Sequence, residues 1–151
     1  MELQSEIVEQ VRALIAEEEN LVANLANTTA LLMSATSWHW VGFYLVDQTK
    51  NELVLGPFQG PVACTRLRMG HGVCAKSWAL SETIVIDDVE SFEGHIACSS
   101  LSKSEVVVPV LFQGEVVGVL DIDSVELNGF SSLEVEILED IVHVIEDQWH
   151  G

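Results

Sequence analysis

Between residues 2 and 33 the apolar side chains fall at Leu3, Ile7, Val8, Val11, Leu14, Ile15, Leu21, Val22, Leu25, Leu32 and Met33. Most of these steps are three or four residues, the period that gathers one stripe along a helix. The segment reads as one amphipathic helix or two, with Glu17, Glu18 and Glu19 on the wet side. Residues 34–37 break the pattern, and the period then drops to two. In WHWVGFYLV (38–46), Trp38, Trp40, Gly42 and Tyr44 share one face of a predicted strand, and His39, Val41, Phe43 and Leu45 share the other. Both faces carry large apolar groups, so both are expected to be partly buried. Residues 47–51 read as a turn and ELVLGPF (52–58) as the returning strand of a hairpin.

Residues 59–72 follow as a long irregular connection, marked by Gly60, Pro61, Gly70 and Gly72. Gly70 and Gly72 stand where a tight turn leads into a helix beginning at Val73. TIVID (83–87) is a short strand, and residues 87–104 form a second long loop with no apolar period. Long loops beside a sheet are commonly functional. EVVVPVLFQGEVVGVLDID (105–123) is two apolar runs around Gln113-Gly114, a tight hairpin in which Pro109 suggests a bulge or an edge position. Leu133, Ile137, Leu138, Ile141, Val142, Ile145 and Trp149 return to helical spacing. Ser131 with Glu134 three residues on makes a capping box at the start of that helix. The order helix, hairpin, loop, helix, strand, loop, hairpin, helix predicts an α+β domain, an antiparallel sheet flanked by helices. We expect a single domain over residues 1–151, with an N-terminal helical segment at about 2–33 and a core at about 38–149.

Composition narrows the partners. Six Lys and Arg against 24 Asp and Glu give a formal net charge of -18, a surface that repels phosphate backbones and anionic lipids. Neither nucleic acid nor membrane is expected as a partner. Such acidity serves solubility, or favours cationic or zwitterionic ligands. The densest apolar stretch, residues 106–120, is interrupted by Pro109, Gln113, Gly114 and Glu115 and falls short of the roughly 20 residues that span a bilayer. Three cysteines, an odd number, and no secretory leader pattern suggest a reducing cytoplasm.

The cysteines are Cys64, Cys74 and Cys98, all in or beside the two long loops. There is no C-x-x-C pair, and His95 with Cys98 makes only one H-x-x-C fragment, so no metal is expected. Buried inert thiols are the ordinary reading of free cysteine. Their placement favours another. Cys74 lies near a predicted helix N-terminus, where the macrodipole favours a thiolate, and Cys98 sits in a Gly- and Ser-bearing loop near His95. A reactive thiol with others in reach is the layout of a sulfenic acid and disulfide cycle. Asp121 and Asp123, two apart near a strand end, point to the same face, and Glu105 opens the partner strand. Three acids around one pocket bind an ammonium group, and one kept protonated by its neighbours can donate a proton. Trp38, Trp40 and Tyr44 are either core or the aromatic wall of that pocket.

WVGFYLV, LVLGPFQGPVAC, GHGVC, GHIACSS, SEVVVPV and GVLDIDS, spread from about Trp38 to Asp123, resemble the free methionine-(R)-sulfoxide reductases, which have the GAF fold. The resemblance implies a thiol-dependent reductase of free methionine sulfoxide without a cofactor. It matches Cys98 to the catalytic cysteine, Cys64 to the principal resolving cysteine and Cys74 to a third that forms an alternative disulfide. Glu105, Asp121 and Asp123 match the acids that hold the substrate's amine and assist protonation of its oxygen. Trp40 and Tyr44 match the aromatic side of the pocket. It further implies thioredoxin as reductant and a homodimer, for which the first amphipathic helix offers an interface. Lys76 and Trp78 are bulkier than the family pattern and bear on the loop and the pocket entrance. The competing readings are a GAF module that senses a small ligand and a thiol redox sensor without a substrate.

Overall fold

The computed structural model describes residues 2–94 and 101–150. The first amphipathic segment is two helices, α1 (Ile7–Ile15) and α2 (Leu21–Ala35). No large apolar residue falls at positions 16–20, and Asn20 restarts the helix by accepting the Ala23 N–H at 2.9 Å. β1 (Trp40–Asp47) and β2 (Glu52–Gln59) form the expected hairpin. The connection after β2 contains a strand that the sequence pattern did not mark, β3 (Arg66–Arg68). Only Leu67 of its three residues is buried, and so short an alternation is barely distinguishable from loop. α3 (Gly72–Leu80), β4 (Ile84–Ile86), β5 (Ser104–Phe112), β6 (Glu115–Ser124) and α4 (Ser132–Asp147) complete the fold, with a 3-10 turn at Val89–Ser91 before β5.

The six strands make one antiparallel sheet in the order β3-β2-β1-β6-β5-β4. At the β5–β6 turn Gln113 and Gly114 have φ of +53° and +82°, the left-handed pair that a two-residue hairpin requires. Pro109 pairs with Val119 on one side, while on the other β4 reaches only as far as Val107. The missing N–H therefore breaks no ladder bond toward β4.

Side-chain alternation divides the sheet into two packed faces. Val41, Phe43, Val106, Val108, Val110, Leu120 and Ile122 face α1, α2 and α4 in the larger core. Trp40, Tyr44, Leu53, Leu67, Val73, Cys74, Val107 and Val119 form a smaller cluster under α3. Trp38 belongs to the first face and not, as its spacing from Trp40 predicted, to the second. β1 begins at Trp40, so the two-residue alternation does not extend back to Trp38, whose ring packs 5.3 Å from that of Phe130.

Leu3, Ile7, Val11 and Ile15 are buried in the chain's own core. The apolar stripe of α1 is thus occupied within the chain rather than free for a dimer contact. The predicted capping box is present at Ser131 and Glu134, and Glu134 Oε2 also accepts the Leu3 N–H at 3.0 Å, tying the start of the chain to α4. Among the described residues no helix is long and apolar enough to cross a membrane.

Candidate functional site

Two neighbouring strands, β5 and β6, deliver the acids. Asp121 and Asp123 alternate onto the face under α3, with Trp40 opposite Asp123 and Gly42 opposite Asp121 across the β1–β6 ladder. How Glu105 joins them depends on a single irregularity. The turn pairs Phe112 with Glu115 and Leu111 with Val116, a register that, if continued, would set Glu105 against Ile122 and put Asp121 and Asp123 on the opposite face of the sheet. A bulge at Val117 of β6, opposite Val110 and Leu111, shifts the pairing by one, so that Val110 faces Gly118 and Glu105 faces Asp123. Glu146 of α4 accepts the Leu111 N–H at 2.6 Å, holding the bulge.

Trp40, Tyr44, Glu105, Asp121 and Asp123 line one pocket together with Cys74 from the first turn of α3. Val62, Ala63, Leu67, His71 and Ser102 also line it. Of the residues singled out from sequence, this pocket brings together two of the three aromatics, Trp40 and Tyr44, all three acids and one thiol. Cys64 adjoins it: the Tyr44 hydroxyl donates to the Cys64 carbonyl at 2.8 Å. Cys64 is disulfide-bonded, whereas Cys74 is a free, buried thiol. Cys98 and His95 lie outside the described residues.

The aromatic wall is built by stacking. The Trp40 ring lies 6.0 Å from Tyr44 and 5.3 Å from Phe58, nearly parallel to both, and Trp40 Nε1–H donates to the Pro61 carbonyl at 3.0 Å. Their polar ends thus hold the 61–64 segment over the pocket while their faces stay apolar. Gly42 makes room for the stack. A Cβ there would run into the Trp40 ring and lie 2.5 Å from Phe58 Cβ. Phe58 was not singled out from sequence, although an aromatic on the strand paired with β1 was the available signal. Ser102, also missed, donates to Asp123 Oδ1 at 3.2 Å; nothing in its sequence context marks it.

Gathering acids in a closed space shifts their protons. Glu105 is pushed up to about 8 by burial and by Asp123, against an opposing hydrogen bond with Asp121. Asp123, more open to the pocket than its two partners, is held well above the usual carboxylate range by burial and the charge of Asp121, with the Ser102 hydrogen bond opposing. Burial, then the three acids, raises the Cys74 thiol well above its ordinary value. The position of Cys74 at the start of α3 therefore does not make it the thiolate that the helix macrodipole suggested. Desolvation and nearby negative charge outweigh a dipole of about half a charge. The same causes raise Tyr44 and keep its phenol protonated.

Lys76 and Trp78 do not line this pocket; the Lys76 ammonium sits 5.3 Å over the Phe92 ring, and Trp78 packs partly buried against the smaller cluster. Cys74, Glu105 and Asp121 are nevertheless a possible metal-ligating group that the spacing of residues in sequence did not suggest.

An antiparallel sheet with helices packed on one face and an acid- and thiol-lined pocket under α3 on the other defines an α+β domain with a candidate small-ligand pocket. Residues 13–147 match the GAF domain family. The chain is 52% identical over 141 residues to GAF domain-containing protein A of Dictyostelium discoideum, covering 93% of this chain and 89% of that one. It is 41% identical over 146 residues to the free methionine-R-sulfoxide reductase of Escherichia coli (strain K12), covering 96% and 87%. The X-ray structure of free methionine-R-sulfoxide reductase from Neisseria meningitidis in complex with its substrate superposes with a TM-score of 0.93 at 49% identity, covering 95% of this chain and 86% of that one. The chain belongs to the GAF domain family and, within it, to the free methionine-R-sulfoxide reductases.

Proposed function

We propose that this protein reduces free L-methionine-(R)-S-oxide to L-methionine by a thiol cycle. The observation that carries the reading is the placement of Glu105, Asp121 and Asp123 against the Trp40 and Tyr44 wall in one pocket. The acids pair the ammonium group of a free amino acid, and the aromatic faces take the sulfoxide methyl end. A methionine sulfoxide within a peptide lacks that ammonium and would leave the buried acids unpaired, which explains a preference for the free amino acid.

In this reading the Cys98 thiolate attacks the sulfoxide sulfur. The oxygen passes to the cysteine sulfur as its bond to the substrate breaks, leaving a sulfenic acid and releasing methionine. Glu105, protonated to about pH 8, is the acid suited to assist the departing oxygen. A second thiol then condenses with the sulfenic acid, forming a disulfide and water. Cys64 is assigned this step: it is disulfide-bonded here, while Cys74 remains a free thiol raised by its acidic surroundings. A cytoplasmic dithiol protein of the thioredoxin type would restore both thiols.

The test is incubation of purified protein with racemic free methionine sulfoxide and dithiothreitol, each epimer followed by chiral chromatography. Loss of the R epimer alone with stoichiometric methionine is expected, and Cys98→Ser should abolish it. Consumption of neither epimer by fully reduced protein would overturn the assignment in favour of a ligand-sensing module or a thiol sensor.

A further inference from the structure

The thiol cycle uses Cys98 and Cys64 and the ammonium subsite uses carboxylates, which leaves Cys74 at the floor of the pocket without a task. Its sulfur comes from α3, whereas the carboxylates beside it come from β5 and β6. One ligand atom each from Cys74, Glu105 and Asp121 lie within 4.8 Å of one another, and all three residues are at least nine-tenths buried. We propose that these three residues bind one borderline-soft divalent cation of the zinc or cadmium type, and that the bound cation excludes the substrate's ammonium group. The exclusion rests on the function proposed above; the cation site does not.

The donor set argues for this class of ion. One sulfur and two carboxylate oxygens are three protein ligands, and the fourth position of a tetrahedron opens to the pocket. Metal–sulfur and metal–oxygen bonds of about 2.3 Å and about 2.0–2.2 Å require the donors to close somewhat around the ion. Rotation of a carboxylate about its terminal torsion supplies such a movement. No lysine or arginine among the described residues lines the pocket to compete for the acids. Magnesium and calcium prefer all-oxygen shells, so a site completed by Cys74 discriminates against them, whereas acids alone would not. Binding exchanges protons for the metal: the Cys74 S–H bond and the Glu105 O–H bond break, sulfur–metal and oxygen–metal bonds form, and both protons leave to solvent with no change in oxidation state.

The experiment uses the full chain as C64S/C98S, so that Cys74 is its sole thiol, kept reduced with a phosphine that does not chelate. Cadmium is titrated while the thiolate-to-metal charge-transfer absorbance is followed, and zinc is titrated by calorimetry. One equivalent is expected to bind, with a charge-transfer band, and to resist excess magnesium. Adding C74S should remove the band and weaken binding by more than about tenfold. E105Q and D121N, near-isosteric changes, should weaken it with the band retained, and they provide the comparison if the triple serine variant does not fold. Absence of the band in C64S/C98S, or affinities unchanged by all three substitutions, would overturn the site. Saturating free methionine sulfoxide should weaken cadmium binding to C64S/C98S; one-equivalent binding indifferent to it would overturn the exclusion, and the placement of the amine with it, while the cation site stands.

Discussion

At Glu105 the proton is held to about pH 8 because its carboxyl is buried and faces Asp123. In the unfolded chain the same group titrates near 4.5. Between those values the folded protein binds more protons than the unfolded one, so the contribution is fully present below about pH 4.5 and is lost as pH rises through about 8. The melting temperature of the ligand-free protein, measured with a chelator present, should therefore fall over this interval, and E105Q should flatten the slope. An equal slope in E105Q would refute the assignment. At this scale the sequence was informative about Asp121 and Asp123, because strand alternation alone puts residues two apart on one face. It was misleading about Cys74, where the nearby helix start was visible and the surrounding acids were not.

Among the elements, the β5–β6 hairpin shows how a turn and a bulge divide the work of positioning. The turn sets a register that would oppose Glu105 to Ile122, and the bulge on β6 opposite Val110 and Leu111 turns Asp121 and Asp123 onto the face of Glu105. Glu146 on α4 stabilises the bulge through the Leu111 N–H, so it is a positioning residue for an acid at the far end of the strand. Glu146→Ala should cost about 1–3 kcal/mol of stability through the unsatisfied N–H and raise KM for free methionine sulfoxide. Glu146→Gln keeps an acceptor oxygen and should recover most of both losses. Urea denaturation beside steady-state kinetics separates the effects; an unchanged KM in the alanine variant would show that the register survives without the contact. Pro109 hinted at a bulge in sequence, but neither its position nor its helix-borne anchor could be read there, since the anchor lies 35 residues away.

For the whole molecule, the sheet separates the larger core from the candidate pocket by its two faces. Trp38 and Trp40, two residues apart, lie on opposite sides of that division. Trp38→Ala should lower stability by about 3–5 kcal/mol with little change in KM, whereas Trp40→Ala should raise KM by removing the pocket's aromatic wall. Equal kinetic effects from the two would contradict the partition. The sequence by itself determined the elements other than β3 and their order, the tight hairpin, the capping box and the pairing of Asp121 with Asp123 on one face. Each of these follows from local periodicity or from turn and cap chemistry acting over a few residues. Tertiary structure alone decided the side on which Trp38 packs, the one-residue shift that brings Glu105 to Asp123, and the burial that keeps Cys74 a thiol. The physical reason is that register, desolvation and the mutual repulsion of acids depend on distances between segments remote along the chain, and those distances exist only once the sheet has closed against its helices.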